Sequence, residues 1–172
     1  MKTRLDIDFF SRDVLDIAPE LVGKALVRSN DGLIKKHIIT EVEAYRGVED
    51  LACHASKGRT PRTEVMFQHG GLVYVYLIYG MYWMLNFVTG KHDDPQAVLI
   101  RGISECYGPG RLTKKLSITG DFYGEDLTSS KRLWVEDQKF SPKIQSATRI
   151  GVDYAGKEWA SKPWRFFTDE YK

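Results

Sequence analysis

Residues 72–88 read LVYVYLIYGMYWMLNFV, a run that is apolar and aromatic almost throughout. The first part, 72–79, is rich in β-branched and aromatic side chains, which favours a strand. Gly80 with Met81 predicts a tight turn, and YWMLNFV (82–88) is then the returning strand. The stretch therefore predicts a β-hairpin, and the rest of the fold can be worked out from it.

The flanking sequence predicts further strands and two short helices. Asn30-Asp31-Gly32 is a strong turn signal that joins two antiparallel strands, the second of them at 33–45. Residues 46–71, rich in glycine and charge, predict a long surface loop. The other expected elements are helices at 16–26, with Pro19 in its first turn, and at 109–118, and strands at 97–102, 133–136 and 145–152. We therefore expect one α+β domain over residues 1–172, with a curved, mainly antiparallel sheet, short surrounding helices and a protruding tyrosine hairpin.

The composition bounds the class of protein. With 172 residues, of which 42% are hydrophobic and 28% charged, the chain can bury a core and is not typical of a disordered protein. The net charge of +2 is too small to indicate a polyanionic partner by itself. Cys53 and Cys106 have no metal-ligand spacing and are too few for a disulfide framework. We therefore expect reduced thiols, no metal and no cofactor.

The hydrophobic pattern gives no sign of a membrane protein. No run of apolar residues is long enough to span a bilayer. The first residues, MKTRLDIDFF, contain charges where a signal peptide would be apolar. We expect a cytoplasmic protein, associated with the nucleoid if it is bacterial, with no membrane partner.

The segment ITEVEAY (39–45) places two carboxylates and a phenol at alternate positions. Because alternate residues of a strand point to the same face, Glu41, Glu43 and Tyr45 share one face. We expect the opposite face to pack on the core, and it carries Ile38, Thr40, Val42 and Ala44. Two interpretations of the polar face remain open, a general-base site or an ordinary solvated strand face.

The hairpin also carries tyrosines at informative positions. Tyr74 and Tyr76 share one face of its first strand, whereas Tyr79 and Met81 flank Gly80 at the tip. A large apolar side chain at an exposed tip suits a wedge that enters between base pairs and fills the space left by a flipped nucleotide. The alternative is a hairpin that serves only the core.

Two segments concentrate positive charge, HASKGRTPR at 54–62 and GPGRLTKKLSI at 108–118. Cations and backbone N–H groups in such a loop, or at the start of a helix, can contact phosphates. The candidates for DNA-backbone contacts are Lys57, Arg59, Arg62, Arg111 and Lys114. The alternative for both segments is an ordinary solvated surface.

Several irregular motifs follow one another along nearly the whole chain. They are E-x-E-A-Y-x-G-x-E-D-x-A-x-H at 41–54, T-P-R at 60–62, Y-V-Y-x-I-Y-G-M-Y at 74–82 with Asn86, V-L-x-R at 98–101, G-P at 108–109, R-I-G-V at 149–152, A-G-K-E-W-A at 155–160 and K-P-x-R-F at 162–166. In this order they resemble the alkyladenine DNA glycosylase family, the 3-methyladenine DNA glycosylases of the mammalian type.

The resemblance implies roles for the chemistry and for opening the duplex. Glu43 looks like the general base that activates the water attacking the sugar. Arg101 resembles a residue that holds the phosphate of the flipped nucleotide or the catalytic water. Tyr79, with Met81 beside it, looks like the wedge in the minor groove.

The resemblance also implies a base pocket. Tyr45 and Tyr76 look like the walls between which the flipped base stacks, and His54 bounds its edge. Asn86 resembles a gate that disfavours the 2-amino group of normal guanine.

Together these roles imply a base-excision-repair DNA glycosylase. Its substrates would be alkylated or deaminated purines, of the 3-methyladenine, hypoxanthine and ethenoadenine class, in double-stranded DNA. Because water is the nucleophile, we expect a monofunctional enzyme without lyase activity. We also expect a monomer. A non-catalytic module that binds damaged DNA is the main alternative, and a small-molecule hydrolase that uses Glu41 and Glu43 is a third.

Overall fold

A fourteen-residue strand, β2, forms the centre of the fold and pairs with three other strands. The computed structural model describes residues 3–171. In this part of the chain nine strands form the sheet: β1 (Ala25–Asn30), β2 (Leu33–Arg46), β3 (Val73–Ile78), β4 (Tyr82–Thr89), β5 (Gln96–Ile103), β6 (Cys106–Tyr107), β7 (Leu133–Glu136), β8 (Gln145–Ala147) and β9 (Arg165–Phe167). The α-helices around it are α1 (Ile7–Phe10), α2 (Val14–Leu21), α3 (Pro109–Lys115) and α4 (Lys157–Ala160).

The strands follow the order β3-β4-β5-β2-β1-β7, and every strand pairing within residues 3–171 is antiparallel. The short strand β6 pairs with β5, and β9 lies between β2 and β8. The expected fold class, a single α+β domain built on an antiparallel sheet, is confirmed. The protruding hairpin consists of β3 and β4.

The strand β2 changes its register against β5 near its middle, where a β-bulge interrupts the pairing between Ile39 and Val42. An extra residue in one strand reverses which side chains face the core. Ile39, Val42 and Ala44 are fully buried in the core, whereas Ile38 is only partly buried. The prediction that Ile38 packs on the core was therefore wrong, because the alternation of residues does not continue through the bulge.

The helix α2 is shifted relative to the sequence-based prediction. The Asp13 side chain accepts the N–H group at the second helical residue and caps the helix, so that the helix begins immediately after it. Its last residue is Leu21, and Gly23 follows with a φ of +94°, a backbone conformation that ends a helix. The prediction of a helix at 16–26 was wrong at both ends, and Pro19 lies inside the helix rather than in its first turn.

The segment 46–71 is more ordered than a surface loop. It contains two 3₁₀ turns, His54–Lys57 and Glu64–Phe67. Part of it packs in a small hydrophobic cluster against the hairpin residue Tyr74, through Cys53, Ala55, Val65, Met66 and Phe67. The long connection was predicted correctly, but its interior is buried because these apolar residues cover one side of the hairpin.

Other boundaries also differ from the prediction. The hairpin turn comprises residues 79–81, since β3 ends at Ile78, and its N–H···O=C bond of 3.1 Å joins Met81 to Ile78. The helix α3 ends at Lys115 rather than at 118. Two residues later, Ser117 has a φ of +51°, which does not continue a helix. The strand expected at 145–152 covers only Gln145–Ala147. No helix within residues 3–171 is long and apolar enough to cross a membrane.

Candidate active site

Glu43 lies at the centre of the candidate site, on the part of β2 that is flanked by β5 and β9, and its side chain is fully buried. Its Oε2 accepts the hydroxyl hydrogen of Tyr45 at 2.7 Å, and its Oε1 accepts the backbone N–H of Ile150 at 2.7 Å. The Nε atom of Arg101 lies 3.6 Å from the same Oε1. Glu43 therefore acts only as an acceptor, which is how an ionised carboxylate behaves.

Tyr45 is held in its protonated form. Burial, followed by the negative charge of Glu43, raises the pKa of the Tyr45 phenol well above its usual value. The phenol is therefore protonated around neutral pH, where it can donate its hydrogen to Glu43.

A buried ion pair explains why the N–H of Ile150 points at Glu43. Both nitrogens at the tip of Arg149 bind the carboxylate of Asp50, at 2.6 and 2.9 Å, and neither side chain is exposed. Arg149 also donates to the carbonyl oxygen of Ala44 at 3.0 Å and lies 4.8 Å from the ring centroid of Tyr45. The pair therefore ties the chain segment around Ile150 to the end of β2.

A second group of charges lies beside Glu43. The Oε1 atom of Glu41 accepts from Nε of Arg101 at 3.3 Å and from Nη1 of Arg165 at 3.1 Å. Glu41, Glu43 and Tyr45 do share one face of β2, as the sequence predicted, because Arg101 reaches both carboxylates and Tyr45 binds one of them. The alternative of a solvated strand face was wrong, since Glu43 is fully buried and only 16% of the Glu41 side chain is exposed.

Aromatic side chains line the space next to these carboxylates. The His54 ring packs edge-on against Tyr76 with 4.5 Å between ring centroids, and its Nδ1 atom is 2.8 Å from the hydroxyl of Tyr74. Burial, with a smaller effect from the charge of Arg62, lowers the pKa of His54 to about 4. His54 is therefore neutral around neutral pH.

A cavity of about 320 Å³ opens between these groups. Glu43 and Arg101 line it together with Tyr45, Tyr76 and Tyr79. An adjoining recess shares Tyr45, His54, Tyr76 and Tyr154 with the cavity and is closed by Met66, Asn86 and Ala97. The structure thus brings the predicted carboxylate, the predicted aromatic walls and the predicted wedge to one opening.

Asn86 lies in the wall of the inner recess and is buried. Its Nδ2 group donates to the backbone oxygens of Tyr74 at 3.2 Å and of Met84 at 3.4 Å. These bonds fix the amide, so that its position in the recess is set by the hairpin backbone.

The hairpin tip projects into solvent. Tyr79 is 87% exposed and Met81 is 65% exposed, values that are unusual for large apolar side chains. Tyr79 also has a φ of +50°, in the left-handed region that costs a residue with a side chain about 1–2 kcal/mol. The chain therefore holds an aromatic ring outward in a backbone conformation that favours glycine or asparagine.

The basic residues that were predicted to contact the DNA backbone are all exposed: Lys57, Arg59, Arg62, Arg111 and Lys114. They differ in their neighbours. The guanidinium of Arg62 lies 5.0 Å from the ring centroid of Tyr76, in the wall of the cavity. Arg59 instead forms ion pairs with Glu64 and Asp93, so part of its charge is already neutralised.

The match to a family model decides the family. The model described as methylpurine-DNA glycosylase (MPG) matches residues 8–106 and 103–172. The chain belongs to the methylpurine-DNA glycosylase family. Among curated relatives, proteins named "Putative 3-methyladenine DNA glycosylase" are similar to it over most of both chains.

Three relatives show the extent of the similarity. A protein of Methanocella arvoryzae is 44% identical over 93% of this chain and 90% of its own length. Proteins of Wolbachia pipientis (strain wPip) and Legionella pneumophila (strain Corby) are each 46% identical over 95% of this chain, and over 89% and 93% of their own lengths.

Sequence reasoning did not assign roles to several residues of this family member that complete the site. Asp50, Arg149 and Ile150 lie in the quoted motifs E-D and R-I-G-V, but nothing in those motifs indicates that Arg149 pairs with Asp50 or that Ile150 binds Glu43. Tyr154 lines both the cavity and the recess, and its hydroxyl donates to the carbonyl oxygen of Ala52 at 2.9 Å. The one available signal was that the charged residues Asp50 and Arg149, each within an irregular motif, needed partners.

The site offers no obvious holder for a metal ion. Within residues 3–171, His, Cys, Asp and Glu side chains form no cluster of three or more that could bind one. The chemistry that its side chains can supply is proton transfer, stacking and hydrogen bonding.

Proposed function

We propose that the protein removes damaged purines from double-stranded DNA by hydrolysing the N-glycosidic bond of a nucleotide that is flipped into the cavity. Its substrates are alkylated or deaminated purines of the 3-methyladenine, hypoxanthine and ethenoadenine class. The observation that carries the proposal is the shared opening: the buried carboxylate of Glu43 faces the same cavity as the aromatic walls and the exposed Tyr79.

Glu43 is the general base. As a water oxygen bonds to C1′ of the sugar, a free lone pair of Glu43 takes one of the water protons. The bond from C1′ to the purine nitrogen breaks, and its electron pair leaves with the base. A purine that carries a positive charge from alkylation leaves as a neutral molecule, so it needs no acid to protonate it. Hypoxanthine and ethenoadenine, which are neutral, leave as anions that take up a proton from water. A positioned general base contributes typically about 10²–10⁴-fold to such a step.

The aromatic walls select and hold the base. Tyr45 and Tyr76 stack on its two faces, and stacking returns about 1–3 kcal/mol per base. This offsets much of the few kcal/mol that flipping costs, a cost that is lower for damaged pairs. Because His54 is neutral, the edge of the slot does not repel a cationic methylpurine.

The hairpin tip and the basic surface hold the DNA. Tyr79 enters the duplex from the minor groove and fills the place of the flipped nucleotide, with Met81 next to it. Lys57, Arg62, Arg111 and Lys114 contact phosphates, and Arg59 contributes less because Glu64 and Asp93 pair with it.

The reaction stops at an abasic site. A lyase step needs an amine that attacks C1′, and the described residues that line the cavity include no lysine. We therefore propose a monofunctional glycosylase that does not cut the strand.

The test is a Glu43→Gln variant with a duplex that carries one hypoxanthine, followed by alkali to cleave abasic sites. Glutamine keeps the shape but is not a general base, so excision falls by at least about 10²-fold while duplex binding persists. The matched control is Glu49→Gln, at an exposed carboxylate of the loop after β2, which excises at the wild-type rate. Samples without alkali remain uncut.

Each outcome has a clear meaning. If the Glu43→Gln variant excises at the wild-type rate, the general base lies elsewhere. If the wild-type protein binds lesion duplexes but excises none of 3-methyladenine, 7-methylguanine, hypoxanthine and ethenoadenine, it is a damaged-DNA binding module.

A further inference from the structure

Glu41 does not touch the cavity in which the reaction is proposed, yet it binds two arginines next to it. Its Oε1 atom accepts from Arg101 at 3.3 Å and from Arg165 at 3.1 Å. The side chains of the three residues are only 15–21% exposed. Charges that are largely shielded from solvent are weakly screened by salt, so Glu41 acts strongly on its neighbours.

Arg101 stands between two carboxylates, and its Nε is the nitrogen that lies near both of them. Its Nε carries a single hydrogen, and this hydrogen is donated to Glu41, whereas Oε1 of Glu43 is 3.6 Å away and receives no hydrogen bond from it. The Arg101 guanidinium therefore acts on Glu43 through charge, without occupying a lone pair.

We propose that Glu41 is a positioning residue that keeps the Nε–H of Arg101 away from Glu43 and thereby leaves a carboxylate lone pair free for the attacking water. The inference rests on the proposed role of Glu43 as general base. Arg165 forms the second ion pair with Glu41 and neutralises part of its charge, so it weakens the attraction of Glu41 for Arg101.

Other charged and titratable groups around Glu43 do not depend on Glu41. Those that face Glu43 or its cavity are Tyr45 from β2, Tyr76 from β3, Tyr79 from the hairpin turn, His54, Tyr154, and Arg149 with its partner Asp50. Among the described residues, none of these hydrogen bonds to Glu41, so its substitution leaves their contacts in place.

The decisive variant is Glu41→Gln, which keeps the length of the side chain and removes its charge. Without that charge Arg101 donates to Glu43, so that it occupies a lone pair and brings its positive charge closer to the carboxylate. In single-turnover excision of hypoxanthine, the plateau rate falls about 3- to 10-fold and the acid limb of the pH–rate profile moves to lower pH.

Two further variants make the direction of the shift diagnostic. Arg165→Gln leaves Glu41 to Arg101 alone, which draws Arg101 from Glu43 and moves the acid limb to higher pH. Glu41→Asp keeps the negative charge, so its acid limb should lie closer to the wild-type position than that of Glu41→Gln. Thermal unfolding of each variant shows whether the fold is retained.

A purely supporting role for Glu41 predicts something else. Both Glu41 variants would then lose activity in proportion to their loss of stability, with the acid limb unmoved or moved upward, and that result would overturn the proposal. The proposal would also be overturned if Glu41→Gln kept the wild-type excision rate and an acid limb of the pH–rate profile at the wild-type position. The Glu43→Gln variant, measured alongside, separates the two claims: if Glu43→Gln stays active the proposed function fails, whereas if it is inactive only the inference on Glu41 fails.

Discussion

Tyr45 donates its phenolic hydrogen to Oε2 of Glu43 across 2.7 Å, from the next position on the same face of β2. The same Tyr45 ring lines the cavity and lies against the guanidinium of Arg149. One side chain thus belongs both to the slot for the base and to the hydrogen bonds that orient the carboxylate, so binding and chemistry are coupled through it.

Removing only the hydroxyl of Tyr45 should separate these two roles. In Tyr45→Phe the ring remains to stack, but Glu43 loses a donor that favours its ionised form. We expect excision to fall about tenfold, equivalent to about 1.4 kcal/mol, with the acid limb of the pH–rate profile at higher pH. Single-turnover kinetics measure both. An unchanged limb, with duplex affinity also unchanged, would show that the hydroxyl does not act on Glu43.

The strained tip offers a variant that should be more stable and less active. Tyr79→Asn creates the Asn-Gly pair that a turn with two left-handed residues prefers, so we expect a gain of about 1 kcal/mol in the free energy of unfolding. It also deletes the wedge, so 2-aminopurine fluorescence in the complex should show weaker flipping. Urea unfolding and fluorescence titration check the two effects.

The turn between β1 and β2 supplies the control for that variant. Asp31 has a φ of +48° and precedes a glycine, as Tyr79 does, but it lies away from the cavity. Asp31→Asn should leave excision unchanged. A Tyr79→Asn protein that flips as well as the wild type would contradict the assignment of Tyr79 as the wedge.

Breaking the buried ion pair should damage both stability and excision. Arg149→Met leaves Asp50 buried without its partner, which costs about 3–5 kcal/mol. The double variant Asp50→Asn with Arg149→Met removes the uncompensated charge and should recover part of this free energy in urea unfolding. Excision should stay low in both, because neither protein holds the N–H of Ile150 on Glu43. Recovery of excision together with stability would mean that the pair has no role in orienting Glu43.

The partly buried His54 predicts a pH dependence of stability. Its pKa is about 4 in the folded protein and about 6.5 in an unfolded chain, so between these values the unfolded chain binds a proton that the folded protein excludes. The contribution is complete above pH 6.5 and is lost as the pH falls toward 4, by at most about 3 kcal/mol. Urea unfolding at several pH values should show a smaller loss in His54→Gln than in the wild type. If the free energy of unfolding changed with pH equally in both proteins, the pKa of His54 would lie near its ordinary value.

Local patterns predicted the parts of the fold that depend on near neighbours. The hairpin of β3 and β4 follows from its β-branched and aromatic content, and the shared face of Glu41, Glu43 and Tyr45 follows from strand alternation. The bulge after Ile39 was not predictable, because it depends on how β2 meets β5 and β9. The start of α2 was missed because the capping role of Asp13 was overlooked.

The sequence by itself determined the family, the strand that carries Glu43 and the exposed aromatic tip, since irregular motifs and residue alternation are written in the order of the chain. Only the tertiary structure decided what surrounds the carboxylate. Ile150 binds Glu43 from 107 residues away along the chain, and Arg149 binds Asp50 from 99 residues away. Arg101 donates to Glu41 although Glu43 is also close to it. Such contacts join segments that have no local reason to meet, and they form only when the sheet brings β2, β5 and the C-terminal segment together.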